Sequence, residues 1–270
     1  MFRFFVESEQ LNQEPIIITG EDYNHIRNVL RMRTGDKVLL CDGSDKEYEA
    51  EIIGFTDDVS QDTQRRDMKN YAGRNHVAQA CKHAVLCRIT DVFGNARELP
   101  ARITLFQGYP KGDKMEQIVQ KAVELGVCEI VPVMMNRCVV KLDEKKASKK
   151  VERLNGIALS AAKQSKRGMI PGVADVMTFK QALDYAKGLE CVIIPYECAE
   201  GMDHSRRIMQ DAVSHSSIGI FIGPEGGFEQ SEIDGLSEIG GNTISLGHRI
   251  LRTETAGMAV LSILMYMLEK

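Results

Sequence analysis

The strongest constraint on the fold is a regular alternation of strand-like and helix-like segments that begins near residue 101. Arg102–Gln107 is apolar like a buried strand, and the apolar residues of Asp113–Leu125 recur at helical spacing. The alternation continues through predicted strands at Glu129–Met135, Cys191–Pro195, Ile218–Gly223 and Thr243–Leu246, and predicted helices at Ser148–Lys166, Asp203–Val213, Glu229–Ile239 and Glu254–Leu268. Such alternation predicts an α/β domain with a mostly parallel sheet and helices on both faces.

The first hundred residues have a different pattern, in which short strands surround one helix. The predicted strands are Ile16–Thr19, Lys37–Cys41 and Glu47–Ile53, and the predicted helix is Asp22–Arg31. This arrangement is typical of a small β-barrel. We therefore predict two domains, a barrel-like one over residues 1–100 and an α/β one over residues 101–270.

A polar segment of mixed charge, Thr56–His83, interrupts the first domain, and we interpret it as an insertion at about residues 56–84. Four potential zinc ligands lie in or beside it: His76, Cys81, His83 and Cys87. Their spacing matches no paired Cys-x-x-Cys or His-x-x-x-His pattern. This favours a coincidence in a polar loop over a metal site.

Composition predicts an ordinary cytoplasmic protein without a membrane partner. Of the 270 residues, 43% are hydrophobic and 27% are charged, as in typical globular domains. The longest apolar stretch, Ala256–Leu268, is shorter than the roughly 20 residues that a membrane span needs. The seven cysteines are scattered along the chain, as expected for free thiols in a reducing compartment.

Charge is distributed unevenly although the net charge is only −4. Arg137–Arg167 contains ten Lys and Arg against three Asp and Glu, whereas Glu190–Lys270 contains five against twelve. A chain with separated charges can bind a polyanion on one face while remaining acidic as a whole. The alternative is a basic helix that faces only solvent.

Two glycine-containing loops follow predicted strands. Gly223-Pro224-Glu225-Gly226-Gly227 follows one strand, and Leu246-Gly247-His248-Arg249-Ile250-Leu251-Arg252 follows another. Ligands of parallel sheets bind beyond the carboxyl ends of the strands, so we predict a site at these loops and at the loop after Pro195. Neither loop has the pattern of a dinucleotide fold or a P-loop. The alternative is a pair of tight strand-to-helix connections.

Arg249 and Arg252 directly precede a predicted helix for which Thr253 is a suitable N-cap and Glu254 a suitable first-turn residue. Cations are unfavourable beside the positive end of a helix, so helix propensity does not explain them. An anionic partner such as a phosphate would explain both arginines. The alternative is a surface salt bridge to Glu254 or Glu225.

Taken together, these two loops resemble the RsmE branch of the SPOUT methyltransferases. Further stretches are similar to the same family: Lys111-Gly112-x-x-Met115-Glu116, Gln120-Lys121, Glu124-Leu125-Gly126, Ala161-Ala162-Lys163-Gln164-Ser165-x-Arg167, and His25-x-x-x-Val29-Leu30-Arg31 followed by Gly35-Asp36. The resemblance is in order along the chain and covers most of it. Thr56–His83 is longer than the family's barrel leads one to expect.

The resemblance implies a parallel-sheet domain whose C-terminal segment is threaded into a trefoil knot, preceded by a PUA-like barrel. It implies S-adenosyl-L-methionine as cofactor, a homodimer, and methylation of a uridine N3 in 16S ribosomal RNA of the small subunit. Two alternatives remain open. One is a SPOUT enzyme for another RNA site, such as a ribose 2′-hydroxyl, and the other is a non-catalytic RNA-binding protein.

The candidate site residues fall into three groups. Arg252 is the first candidate for stabilising a developing uracil oxyanion and Arg249 the second, while Glu225 could orient an arginine or accept the N3 proton. We expect the cofactor to contact Tyr196, Glu197, Ile222, Gly223, Pro224, Glu225, Gly226, Gly227, Leu246, Gly247, His248, Ile250, Leu251, Arg252, Thr253, Glu254 and Ala256. We expect RNA to contact Arg3, Arg27, Arg31, Arg33, Lys111, Lys163, Gln164, Lys166 and Arg167.

Overall fold

The computed structural model describes residues 1–44, 46–56, 83–94, 97–199 and 201–269. The chain divides into two compact units, Met1–Arg97 and Glu98–Lys270.

The first unit contains a five-stranded mixed sheet with the order β1-β3-β4-β5-β2. Its strands are β1 (Phe2–Phe5), β2 (Ile16–Ile18), β3 (Lys37–Cys41), β4 (Lys46–Phe55) and β5 (Val85–Gly94). β1 pairs with β3 in parallel and the remaining pairs are antiparallel. Within the described residues β1 and β2 do not pair, so the sheet is open there.

The helical part of this unit is shorter and less regular than predicted. After α1 (Ser8–Leu11), the expected helix Asp22–Arg31 is replaced by α2 (Gly20–Asn24) and one π-helical turn, His25–Val29. The helical region ends before Arg31, whose φ of 54° lies in the left-handed region. The buried side chains of Phe4, Ile26, Leu40, Ile52 and Phe55 form the core between these turns and the sheet.

Two of the four candidate zinc ligands, His76 and Cys81, lie outside the described residues. Cys87 belongs to β5 and is fully buried. Burial raises the pKa of its thiol to about 12. Cys87 is therefore a protonated core residue, which makes it a poor metal ligand.

The second unit is built on a parallel sheet, which confirms the predicted fold class. Its path is β12-β10-β11-β6-β7-β8, with β9 paired to β7, and every pairing is parallel. The strands are β6 (Arg102–Gly108), β7 (Glu129–Met134), β8 (Gly172–Val173), β9 (Met177–Thr178), β10 (Cys191–Pro195), β11 (Ser217–Ile222) and β12 (Asn242–Ile244).

Six helices connect these strands within the described residues: α3 (Lys114–Glu124), α4 (Glu144–Ser165), α5 (Phe179–Ala186), α6 (Met202–Ala212), α7 (Gln230–Glu238) and α8 (Thr253–Leu268). All but α5 lie within a few residues of a predicted helix. α4 begins earlier than predicted because Asp143 caps it, accepting a hydrogen bond from the Lys146 amide at 2.8 Å. None of the described helices is long and apolar enough to cross a membrane.

The parallel register places the carboxyl ends of the central strands at one edge of the sheet. The stacked rings of Phe106 and Phe221, 4.3 Å apart, hold β6 beside β11. The loops that leave β6, β7, β10, β11 and β12 therefore emerge side by side. We call this edge the carboxyl edge, and it is where ligands of such sheets bind.

Candidate functional site

The loop after β11 is fixed by close backbone packing against the end of β6. A Cβ atom built on Gly108 would lie 2.6 Å from the Pro224 nitrogen, so only glycine permits this approach. Gly227 has a φ of 71° and donates its amide hydrogen to the Pro224 carbonyl at 2.9 Å. The glycines of this region are thus required by geometry on both sides of the contact.

A buried hydrogen-bond relay joins three segments of the second unit. Gln107 Nε2 donates to Thr253 Oγ1 at 2.8 Å, and Thr253 Oγ1 donates to the Gly223 carbonyl at 2.6 Å. Gln107 is fully buried and Thr253 is 7% exposed. The relay ties the start of α8 and the loop after β11 to the end of β6, and solvent does not compete for it.

Thr253 does not serve as the N-cap that the sequence predicts. It is the first residue of α8, and Arg252 occupies the N-cap position without a side-chain cap. The Thr253 hydroxyl is committed to Gly223 instead. The Thr253 hydroxyl therefore takes part in the relay and does not cap the start of α8.

Lys114 holds two carboxylates together at the rim of the same loops. Its Nζ lies 3.1 Å from Glu225 Oε1 and 3.1 Å from Glu254 Oε2. The Lys111 amide also donates to Glu225 Oε1, at 3.3 Å. Lys114 therefore forms the salt bridges to Glu225 and Glu254 that the sequence alone allows for Arg249 and Arg252.

The environment of Glu225 makes it a weak base. Burial raises the pKa of Glu225, but hydrogen bonds from its own backbone and from Lys114 outweigh this and hold the pKa below its usual value. A carboxylate of low pKa stays ionised at neutral pH and accepts a proton poorly. Orientation of Lys114 is the role that this geometry supports.

Arg249 and Arg252 are exposed beside this cluster. Within the described part of the chain, neither side chain makes a hydrogen bond or an ion pair. Ile250 between them is 86% exposed and forms no apolar wall within the single chain, whereas Ile222 is buried and Leu251 half-buried. The loop therefore presents two exposed cations outward, and the charge of Arg252 is among the causes that lower the pKa of Glu254.

The same edge can accommodate a nucleoside cofactor with a sulfonium. Nothing lies within 4 Å of a Cβ built on Gly227 or Gly247, and Gly247 has a φ of 105°, so a ligand can approach the backbone of both loops closely. Glu225 and Glu254, which Lys114 holds at this edge, are the carboxylates of these loops that could face a positive sulfonium. All the predicted cofactor residues lie on the three loops after β10, β11 and β12, at the end of β11, or in the first turn of α8.

Arg167 is wrong as an RNA contact because its side chain is buried. Its exposure is 4%, its Nε and a terminal nitrogen donate to the Glu98 carboxylate, and its other terminal nitrogen donates to the Val123 and Val127 carbonyls at 2.8 and 2.9 Å. Glu98 also accepts the Gly168 amide at 2.9 Å. Arg167 therefore joins the end of α4 to α3 and to the segment before β6.

Replacing Arg167 with alanine should lower the free energy of unfolding by about 3–5 kcal/mol, because Glu98, only 19% exposed, would lose its counter-charge and the Val123 and Val127 carbonyls would lose their donor. The loss would be measured by chemical denaturation followed by circular dichroism. Arg102→Ala provides a control, since Arg102 is an exposed arginine of the same unit. A loss below about 1 kcal/mol, the range of exposed pairs, would contradict a structural role for Arg167.

Arg3 is also wrong as an RNA contact. It pairs with Glu47 at 2.6 Å, and both side chains are 6% exposed. Arg31 and Arg33 are exposed in the first unit, and the Arg27 guanidinium lies 4.4 Å from the centre of the Phe55 ring. These three remain candidates for RNA.

The remaining RNA candidates do not all lie at the carboxyl edge. α4 runs antiparallel to β7, so its last turn, with Lys163 and Gln164, lies near the amino ends of the strands, as does Lys166. The contact of Arg167 with the Val127 carbonyl, just before β7, places that turn there. Only Lys111 shares the edge with the cofactor loops.

Sequence reasoning missed Gln107, Lys114 and Arg137. Gln107 is a polar residue at the end of an otherwise apolar buried strand, which is an informative signal. Lys114 lies inside a stretch that resembles the family. Arg137 lies in the loop after β7, and applying the rule about carboxyl ends to every strand would have found it.

Comparisons with known proteins agree with this geometry. Residues 97–265 match the family described as RNA methyltransferase domain, and residues 18–57 match the RNA methyltransferase PUA domain. The chain is 37% identical to ribosomal RNA small subunit methyltransferase E of Bacillus subtilis, over 100% of this chain and 98% of that protein.

Two solved structures resemble the chain and contain S-adenosyl methionine, the cofactor that the sequence predicts. One is ribosomal RNA small subunit methyltransferase E of Neisseria gonorrhoeae, with 30% identity, a TM-score of 0.72, and coverage of 97% of this chain and 96% of that one. The other, from Legionella pneumophila, has 30% identity, a TM-score of 0.72, and coverage of 98% and 97%. The predicted family is confirmed: the chain belongs to the RNA methyltransferases with a PUA domain that include ribosomal RNA small subunit methyltransferase E.

Proposed function

We propose that this protein is an S-adenosylmethionine-dependent methyltransferase that methylates the N3 of one uridine in 16S ribosomal RNA. The observation that carries the proposal is the carboxyl edge, where glycine loops that a ligand can approach closely lie together with two exposed arginines. The named activity of the Bacillus subtilis relative and the cofactor bound in the Neisseria gonorrhoeae relative support it. Because ribosomes are cytoplasmic, a protein that acts on ribosomal RNA would work in the cytoplasm.

The chain's own residues then have distinct tasks. When bound, the cofactor supplies an electrophilic methyl group on a positive sulfonium. The backbone of Leu246–Leu251 and Gly223–Gly227 would hold the nucleoside part, and the carboxylates of Glu225 and Glu254, held by Lys114, would stabilise the positive charge. Arg252, assisted by Arg249, donates to the uracil oxygen that becomes negative as N3 loses its proton.

The RNA is bound on both units in this proposal. The exposed guanidiniums of Arg31 and Arg33, together with Arg27, contact phosphates on the PUA-like unit. Lys111 does so beside the cofactor loops, and Lys163, Gln164 and Lys166 extend the contact along the second unit. Binding through phosphates weakens steeply with salt, since counterions are released when the RNA is bound.

A homodimer and a trefoil knot are part of the same proposal. On α8, Tyr266 is 83% exposed and Ile263 is 41% exposed. Ile263 also lines a largely apolar pocket of about 270 Å³ between α6 and α8, together with Met209 and Met267. A second copy of the chain would cover these apolar side chains. In the knot, the C-terminal segment of the second unit would be threaded through a loop of the same unit.

The decisive experiment maps methylated nucleotides in 16S ribosomal RNA by mass spectrometry in cells with and without this protein. We expect one 3-methyluridine to disappear without it and to return when the gene is restored, and the purified protein to methylate the unmodified small subunit. Loss of a ribose methyl group instead would support the 2′-hydroxyl alternative. An unchanged methylation map would contradict the proposal and leave a non-catalytic RNA-binding role.

A further inference from the structure

Arg137 lies on the carboxyl edge although the proposed chemistry does not use it. It follows β7 in the loop Asn136–Val139, and its side chain crosses the end of β6 to reach the loop after β11. Its Nη1 donates to the Gly226 carbonyl at 3.0 Å. A Cβ on Gly226 would lie 2.9 Å from the Cβ of Arg137, so the glycine is needed for this crossing.

Two glutamates at the start of α7 bind the residue before Arg137 and fix the backbone there. The Asn136 amide donates to Glu232 Oε1 at 2.9 Å, and Asn136 Nδ2 donates to Glu229 Oε2 at 2.9 Å. Glu232 is 2% exposed and also caps α7 by accepting the Glu229 amide at 2.8 Å. The backbone at Arg137 is therefore rigid, so binding of a ligand by Arg137 costs little backbone conformational entropy.

The charge of Arg137 is not neutralised. In the part of the chain that the structure describes, no carboxylate lies within ion-pair distance of its guanidinium, and its side chain is exposed. Burial and the nearby Cys198 raise the pKa of Tyr196, whereas the charge of Arg137 acts against that rise, which places it near the loop after β10. The charge of Arg137 therefore acts close to the loops after β7, β10 and β11.

From these observations we infer that Arg137 binds a phosphate of the RNA beside the target nucleotide. The inference rests on the proposed function, which supplies the RNA. A guanidinium has several N–H donors in a planar fork, so one can stay on Gly226 while others contact phosphate oxygens. Because one side chain touches both the RNA and the cofactor loop, it sets the distance between them.

The test compares Arg137→Ala, Arg137→Lys and the control Arg102→Ala, an exposed arginine at the opposite end of the sheet. The probe is unmethylated 16S ribosomal RNA from cells that lack the protein. We expect Arg137→Ala to weaken RNA binding by about 10- to 100-fold, as for one charge-assisted hydrogen bond. The log–log salt slope should become shallower by about 0.7–0.9, one phosphate.

The lysine variant separates positioning from charge. Arg137→Lys should keep the salt slope but methylate more slowly at saturating RNA, because an ammonium cannot hold Gly226 and a phosphate in fixed geometry. A slope unchanged in Arg137→Ala would overturn the inference, because Arg137 would then only support the loop. Binding is measured without turnover, so failure of the proposed uridine methylation would be seen separately in the wild-type protein.

Discussion

Replacing Gly247 or Gly223 with valine is expected to weaken S-adenosylmethionine binding by at least about 100-fold, or about 2.7 kcal/mol, in a protein that remains folded. Gly247 has a φ of 105°, which a β-branched residue cannot adopt without strain. A Cβ on Gly223 would lie 3.1 Å from the Gly227 carbonyl carbon and 3.3 Å from Phe228, so its loop must move. Isothermal titration calorimetry measures the affinity.

Gly43→Val is the matched control for this experiment. Gly43 also has a positive φ, 83°, with nothing within 4 Å of a Cβ, but it lies in the first unit. It should suffer similar backbone strain while cofactor affinity stays unchanged. Circular dichroism would show that each variant is folded. Wild-type affinity in both Gly223→Val and Gly247→Val would remove these loops from the cofactor site.

Arg252→Ala is expected to lower the single-turnover methylation rate by about 10²–10³, the usual loss when one donor to a developing oxyanion is removed. The backbone of Arg252 is anchored, since its carbonyl accepts the Thr255 and Ala256 amides at 2.8 and 2.9 Å. Only the guanidinium is free to face a substrate. The rate is measured with saturating cofactor and RNA, so that weaker binding does not enter it.

Two further variants sharpen the role of Arg252. Arg252→Lys keeps the charge but loses the planar fork, and it should also be slow. Arg249→Ala should reduce the rate less, as expected for the second candidate. A normal rate in Arg252→Ala would exclude it from the chemical step. A loss explained wholly by RNA affinity would make Arg252 a phosphate contact instead.

The parallel-sheet domain could be predicted because its signals are local. Buried strands such as Ile218–Gly223 are apolar runs that end in glycine and proline, and the helices that follow have apolar stripes. α5 was missed because its eight residues are too few for a clear period. β5 was missed because its second half is exposed, so apolar and polar residues do not alternate.

The site could be predicted only as far as its loops. Which polar groups meet depends on tertiary contacts: nothing local to Gln107 indicates that it pairs with Thr253. Arg167 was misassigned for the same reason, because a lysine- and arginine-rich stretch predicts exposure and the partner Glu98 lies 69 residues away. Arg3, paired with Glu47, repeats this error.

The relay from Gln107 to Thr253 also fixes when the site can form. The two residues are separated by 146 positions in the chain, so a ribosome completes β6 long before it makes the start of α8. Closing so long a segment costs entropy that only the finished domain recovers, and contacts of this kind form late in folding. Gly223 therefore receives its partner only after α8 has docked. A nascent chain can have a nearly complete sheet and still lack a cofactor site, so the enzyme cannot begin to methylate before the start of α8 has been synthesised and has docked.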